Sequence, residues 1–176
     1  GGKPKPVGLM VRNGQIINRE YVRFDGVLTI DVRNRAQIQY RRAVSFGGGL
    51  FDLNDGGERR AFLNTAAREN ASIIQSHLLI LNGEVDVAQL ASAPRFRRRI
   101  MFQTAEGHTG VFDSSPRSLT LYEAAVEVAE TFAPEMALNL DMGSYDFCRR
   151  GSQLCGYLSV SDAAKLSNII RLSKVD

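Results

Sequence analysis

The chain has 176 residues, 44% of them apolar and 23% charged, the make-up of a single globular domain able to bury roughly two thirds of its unfolded surface without staples. No apolar run approaches the roughly 20 residues of a membrane-spanning helix, so a bilayer span is excluded as the organising element. The net charge of +3 gathers in Arg41-Arg42, Arg59-Arg60, Arg97-Arg98-Arg99 and Arg149-Arg150, which suit solvated loop ends or an anionic ligand; with no Trp and few interleaved aromatics, nucleic acid is not the expected partner.

In chain order, VGLMVRNGQIIN reads as a hairpin, with Asn13-Gly14 supplying the positive-φ turn. VLTIDVRNRAQIQYR repeats that plan with its bend at Arg33-Asn34-Arg35. GGGLFDLNDGG, residues 47–57, has too many glycines for a regular element and reads as a loop; no Lys-Ser or Lys-Thr follows, so it is not a phosphate-cradling P-loop. ERRAFLNTAAREN fits a short helix. IIQSHLLILNGEVDVAQL and RRRIMFQTAEGHTGVFD read as two further strand-turn-strand units. SLTLYEAAVEVAETF is the clearest helix: Thr120 and Glu123 have capping-box spacing, Leu121, Ala124, Ala125, Val128 and Phe132 share one side, and Pro134 ends it. The chain then enters MALNLD, and LSNIIRLSKV closes as one more strand. The expected fold is α+β: one domain over 1–176, with a mixed, largely antiparallel sheet built from hairpins, one long helix and one or two shorter ones packed on it.

Cys148 and Cys155 are the two cysteines, with six residues between them in CRRGSQLC. That spacing suits a small disulfide-closed loop or two unpaired thiols, and no His lies near enough to make a zinc set. No metal or cofactor is expected, although Asp141 and Asp146 are close enough in sequence to share a cation. His108 sits at a turn and reads as solvated, and His77 in an apolar strand reads as a core histidine.

The order of the pieces PVGLMVRNGQIIN, VLTIDVRNRAQI, IIQSHLLILNGEV, RRRIMFQTAEGHTGVFD, SLTLYEAAVEVAETF with MALNLDMGS, and LSNIIRL resembles the phosphodiester glycosidase family over nearly the whole chain. The resemblance implies hydrolysis of a sugar linked through its anomeric carbon to a phosphodiester, in a periplasmic or secreted setting, with a phosphorylated or anionic carbohydrate as ligand. The family's N-L-D-G-G-G-S-S pattern falls on Asn139-Leu140-Asp141-Met142-Gly143-Ser144, which carries Asp141 over as catalytic and Asn139, Gly143 and Ser144 as substrate-binding. Its Q-S-G-P-L-L segment resembles Gln75-Ser76-His77-Leu78-Leu79, and its strand arginine falls on Arg98, with Arg97 beside it, which carries Gln75, Ser76, His77, Arg98 and Arg97 over as substrate-binding too. Met142 and Tyr145 stand where the family has small residues, and its N-G-G-F-F strand would precede PVGL, supplied by a segment outside this chain or by a partner chain.

The chemistry fits these residues. A phosphate departs as a stabilised anion and needs less protonation, so one carboxylate, Asp141, with an arginine fork on the phosphodiester could suffice. Two functions follow: a hydrolase of phosphate-linked glycans, or an inactive relative that binds an anionic glycan or a protein. For Asp141 the plain alternative is a strand-end carboxylate tying up the amides of the next turn.

Overall fold

The computed structural model describes residues 6–140, 148–154 and 170. The strands in chain order are β1 (Met10–Arg12), β2 (Gln15–Asn18), β3 (Gly26–Ile30), β4 (Ala36–Tyr40), β5 (Val44–Phe46) and β6 (Gly49–Phe51). Helix α1 (Gly56–Arg68) follows, then β7 (Ser72–Ser76), β8 (Leu78–Leu81), β9 (Glu84–Val85), β10 (Arg99–Gln103) and β11 (Thr109–Asp113). Helix α2 (Leu121–Phe132), β12 (Met136–Asn139), β13 (Arg149–Arg150) and β14 (Gln153–Leu154) complete the described elements.

The strands form two five-stranded sheets, β2-β1-β7-β3-β4 and β11-β10-β12-β8-β9, and two short ribbons, β5-β6 and β13-β14. Every pairing among the described residues is antiparallel. This corrects the expected single mixed sheet with one long helix. IIQSHLLIL reads as one strand in sequence, but His77 breaks it: β7 ends in the first sheet at Ser76 and β8 starts in the second at Leu78. Nine residues at ~3.3 Å each would have made a strand of about 30 Å, longer than the commonest strands of about five or six residues. The second helix also departs from expectation: α1 has 13 residues and α2 has 12, so neither is the long one. The glycine-rich 47–57 stretch is part ribbon and part helix start, with Gly47 and Gly48 making the turn between β5 and β6.

Strand alternation sorts the core into three layers. Val27 and Ile73 face α1 and pack with Phe62, Leu63 and Ala66. Leu28 and Ile38 of the first sheet meet Leu78, Met101 and Leu138 of the second. Ile80, Ile100, Phe102 and Ala137 face α2 at Ala124, Ala125 and Val128. The order is therefore helix, sheet, sheet, helix. In the second sheet β12 pairs Ala137 with Ile80 but Leu138 with Leu78, so Leu79 is an extra residue, a bulge beside the crossover. Across the sheets the Gln103 carboxamide accepts from Ile38 N (2.7 Å) and donates to Ala36 O (2.7 Å), pairing with the outer edge of β4 as a strand would.

Helix α2 starts as its sequence requires: Thr120 accepts from Glu123 N and the Glu123 carboxylate accepts from Thr120 N, a reciprocal capping box. It ends at Ala133 in the left-handed region, φ 44°. An L side chain there costs about 1–2 kcal/mol, against about 0.5–1 kcal/mol of added chain freedom for glycine. Ala133→Gly is therefore expected to raise stability by roughly 0.5–1 kcal/mol in chemical denaturation; a loss would show that the Ala133 methyl packs usefully.

Candidate functional site

Antiparallel pairing brings particular strand ends together. In the first sheet β7 ends at Ser76, where β3 begins at Gly26 and β4 ends at Tyr40. In the second sheet β8 begins at Leu78, where β12 ends at Asn139, β10 begins at Arg99 and β11 ends at Asp113. His77 joins the two sheets, so all of these ends lie at one end of the sandwich.

Asn139 is the centre of this end. Its N–H donates to His77 O (2.9 Å) and its carbonyl accepts from Ser76 Oγ (2.6 Å), so both sides of the crossover hold its backbone. The residue is 4% exposed, yet its side-chain carboxamide makes no hydrogen bond among the described residues. The fully enclosed side-chain polar atoms without a partner among the described residues are Arg41 Nε and Thr104 Oγ1, so the Asn139 carboxamide is not sealed off and keeps its donors and acceptor for a polar ligand or water.

Arg98 is 7% exposed and immediately precedes β10; its carbonyl still accepts from Ser114 N (2.9 Å), and continued alternation puts it on the side of Ile100 and Asn139. In a regular ladder its Cβ is a diagonal neighbour of Asn139's, roughly 7–8 Å away. Nε donates to Leu119 O (2.9 Å), Nη2 to Pro94 O (3.0 Å), and the guanidinium lies over the Phe96 ring. Ser114 Oγ accepts from Arg98 N (2.8 Å) and donates to Arg117 O (2.8 Å), fixing the strand beneath it. Arg99, the first residue of β10, turns to the opposite face. Arg97 is half-buried, and Arg99 pairs with Asp113 through Nη2 (2.7 Å) and Nε (3.1 Å), with both side chains largely buried.

His77 is exposed at the crossover and is no core histidine; its ring packs on Phe24 with centroids 4.3 Å apart. Beside it Asp25 accepts from Leu78 N (2.8 Å). Desolvation, and then the charge of Asp25, raise the Asp86 carboxyl above the ordinary aspartate range. Gln75 faces the other way. Its Oε1 accepts from Leu9 N (3.1 Å) and, at longer range, Val22 N (3.5 Å), and its Nε2 donates to Val22 O (2.9 Å) and Phe24 O (2.8 Å).

The structure thus brings Arg98, Asn139, Ser76 and His77 to one end and gives Gln75 to the backbone. Asp141, Gly143 and Ser144 lie outside the described residues, as do Asp146 and the closing LSNIIRLSKV strand apart from Ile170. Cys148 is disulfide-bonded, and Cys155 lies outside the described residues.

No family model and no curated protein matches the chain. A solved structure that does is the zebrafish N-acetylglucosamine-1-phosphodiester alpha-N-acetylglucosaminidase catalytic domain, auto-inhibited by its pro-peptide, at 12% identity and a TM-score of 0.49. The match covers 77% of this chain and 45% of that one, so the chain spans less than half of that structure. The likeness is a loose one of fold. Membership of a family is not shown by it.

Sequence reasoning missed the Arg99–Asp113 pair and the Phe24–His77 contact. The first was readable as charges ending two strands of one hairpin; the second joins residues far apart in the chain and had no local signal. Among the described residues no cluster of three or more metal-ligating side chains occurs and no helix is long and apolar enough to cross a membrane. A separate groove of about 520 Å³, lined by residues including Thr29, Asp31, Arg35, Gln37 and Glu69, lies at the opposite end of the first sheet. Asp31 and Arg35 neutralise each other there at 2.6 Å.

Proposed function

We propose that the chain is a hydrolase that releases a sugar from a phosphodiester, working at the His77 end of the sandwich on a cell-envelope or secreted glycan. The single observation that carries this reading is the Asn139 carboxamide, unengaged by the described residues, on a residue only 4% exposed whose backbone is held by Ser76 and His77. In this reading Asn139 orients an oxygen of the sugar or phosphate, Arg98 with Arg97 supplies positive charge beside it, and Asp141, two residues on, moves the proton. The support for Asp141 is its place in the chain: Leu140 N still donates to Arg99 O (2.9 Å), so β12 keeps its ladder with the arginine strand up to the residue before it. Gly143 and Ser144 follow as small groups for close approach to an anion. The bonded state of Cys148 supports a periplasmic or secreted location, where disulfides persist.

The test is release of free sugar from a panel of sugar phosphodiesters. Asp141→Asn is expected to lower kcat about a hundredfold, the lower end for loss of a general acid or base. Asn139→Ala should lower kcat/KM about tenfold while leaving the melting temperature nearly unchanged, because no internal side-chain bond is lost. Saturable binding of these compounds with no turnover by the wild-type chain would overturn the hydrolase and establish the glycan-binding alternative.

A further inference from the structure

We propose that Arg41 binds a phosphate oxyanion at the His77 end of the sandwich through the Nε–Nη2 edge of its guanidinium. The backbone of Arg41 is fixed on both sides, its N–H donating to Asp25 O (2.8 Å) and its carbonyl accepting from Leu53 N (2.8 Å). Nη1 donates to Arg23 O (3.1 Å) and, more weakly, to Phe24 O (3.5 Å), which sets the plane of the group against the loop that carries Phe24. Nε is enclosed and has no acceptor, and no hydrogen bond among the described residues engages Nη2. What is left over is one side of the planar fork, two parallel N–H groups at the spacing of two oxygens on a phosphate or carboxylate.

An enclosed guanidinium N–H without an acceptor is uncommon in a folded protein and calls for a partner. Among the described residues no carboxylate serves: Asp25 Oδ1 accepts from Leu78 N, and none of the described ion pairs includes Arg41. Arg23 and Arg42, both exposed, adjoin it in the fold or chain and add positive potential without competing for the fork. The position is tied to the candidate site through Phe24, whose carbonyl Nη1 reaches and whose ring packs on His77. The choice of phosphate over carboxylate rests on the function proposed above; the vacant donor edge does not.

The experiment is a titration of the ¹⁵N-labelled chain with inorganic phosphate, following the arginine Nε–H resonances, with Arg41 assigned by the signal missing in Arg41→Lys. The Arg41 Nε–H is expected to shift saturably. Phosphate affinity should fall at least tenfold in Arg41→Gln and in Arg41→Lys, which keeps the charge but lacks the fork, and should be unchanged in Arg33→Gln, which removes an exposed charge at the far end. An Arg41 resonance that stays still through the titration, or equal affinity in folded Arg41→Gln and wild type, overturns the proposal. If Arg41→Gln does not fold, the wild-type resonance alone decides. The reading of function fails separately: Arg41-dependent phosphate binding in a chain with no turnover sustains this inference and sinks that one, and turnover with a silent Arg41 does the reverse.

Discussion

Gly26→Val is expected to destabilise the protein by about 3 kcal/mol or more, the upper end of overpacking, and Gly26→Ala by about 1–3 kcal/mol. A Cβ on Gly26 would lie 2.2 Å from Leu138 Cδ1, 3.0 Å from Ser76 O and 3.1 Å from Leu78 N. Leu138 is wholly buried between the sheets and has little room to turn away, and the other two contacts are backbone on either side of the crossover. Ordinary strand preference runs the other way, since valine favours strands and glycine weakens them. The measured order Gly, Ala, Val in falling stability would therefore report the sheet-to-sheet approach itself. Urea midpoints read the effect, and Leu138→Ala should recover part of the loss in Gly26→Ala because it removes the nearest contact. If Gly26→Ala matches the wild type with Leu138 intact, the sheets do not approach as closely here as described.

Gln75→Leu is the second large effect, a loss of about 3–5 kcal/mol from a domain whose whole net stability is of order 5–15 kcal/mol. The substitution keeps side-chain volume approximately but strands Leu9 N and Val22 O, leaves Phe24 O only its long contact from Arg41 Nη1, and frees the longer contact to Val22 N. Buried backbone groups left without partners cost about 1–3 kcal/mol each, moderated here because the 22–24 segment is only partly enclosed. Turnover or ligand binding per folded molecule should stay near wild type. A stable Gln75→Leu that loses only ligand binding would return Gln75 to the site.

The elements were largely legible because their signals are local. Asn13-Gly14 and Asn82-Gly83 announced their turns and adopt positive φ at both positions, and Thr120 with Glu123 announced the start of α2. The division into two sheets was not legible, because it depends on one residue, His77, in a run with no glycine or proline to mark a break. A buried strand and two short strands meeting end to end have the same composition; what separates them is which neighbours their edges pair with, and pairing is non-local. The glycines of 47–57 misled for a related reason: two of them supply a turn, and Gly56-Gly57 enter α1 once Asp55 caps it, accepting from Gly57 N and Glu58 N.

The candidate site was legible in part. Asn139, Ser76 and His77 do meet, through backbone contacts that a sequence pattern does not specify. Gln75 looked like one more polar group in the same short string, but side chains alternate along a strand, and the neighbour of an inward serine points to the opposite layer. Arg98 and Arg99 divide in the same way, one toward α2 and the other to Asp113.

The carboxamide of Gln103 has a consequence for how the molecule behaves in company. An unpaired strand margin is a template on which a second polypeptide can be laid down, and concentrated solutions of such proteins drift toward fibrils or swapped dimers. By occupying Ile38 N and Ala36 O from within, Gln103 closes that template along the middle of β4 and turns a sticky flank into an internal seam.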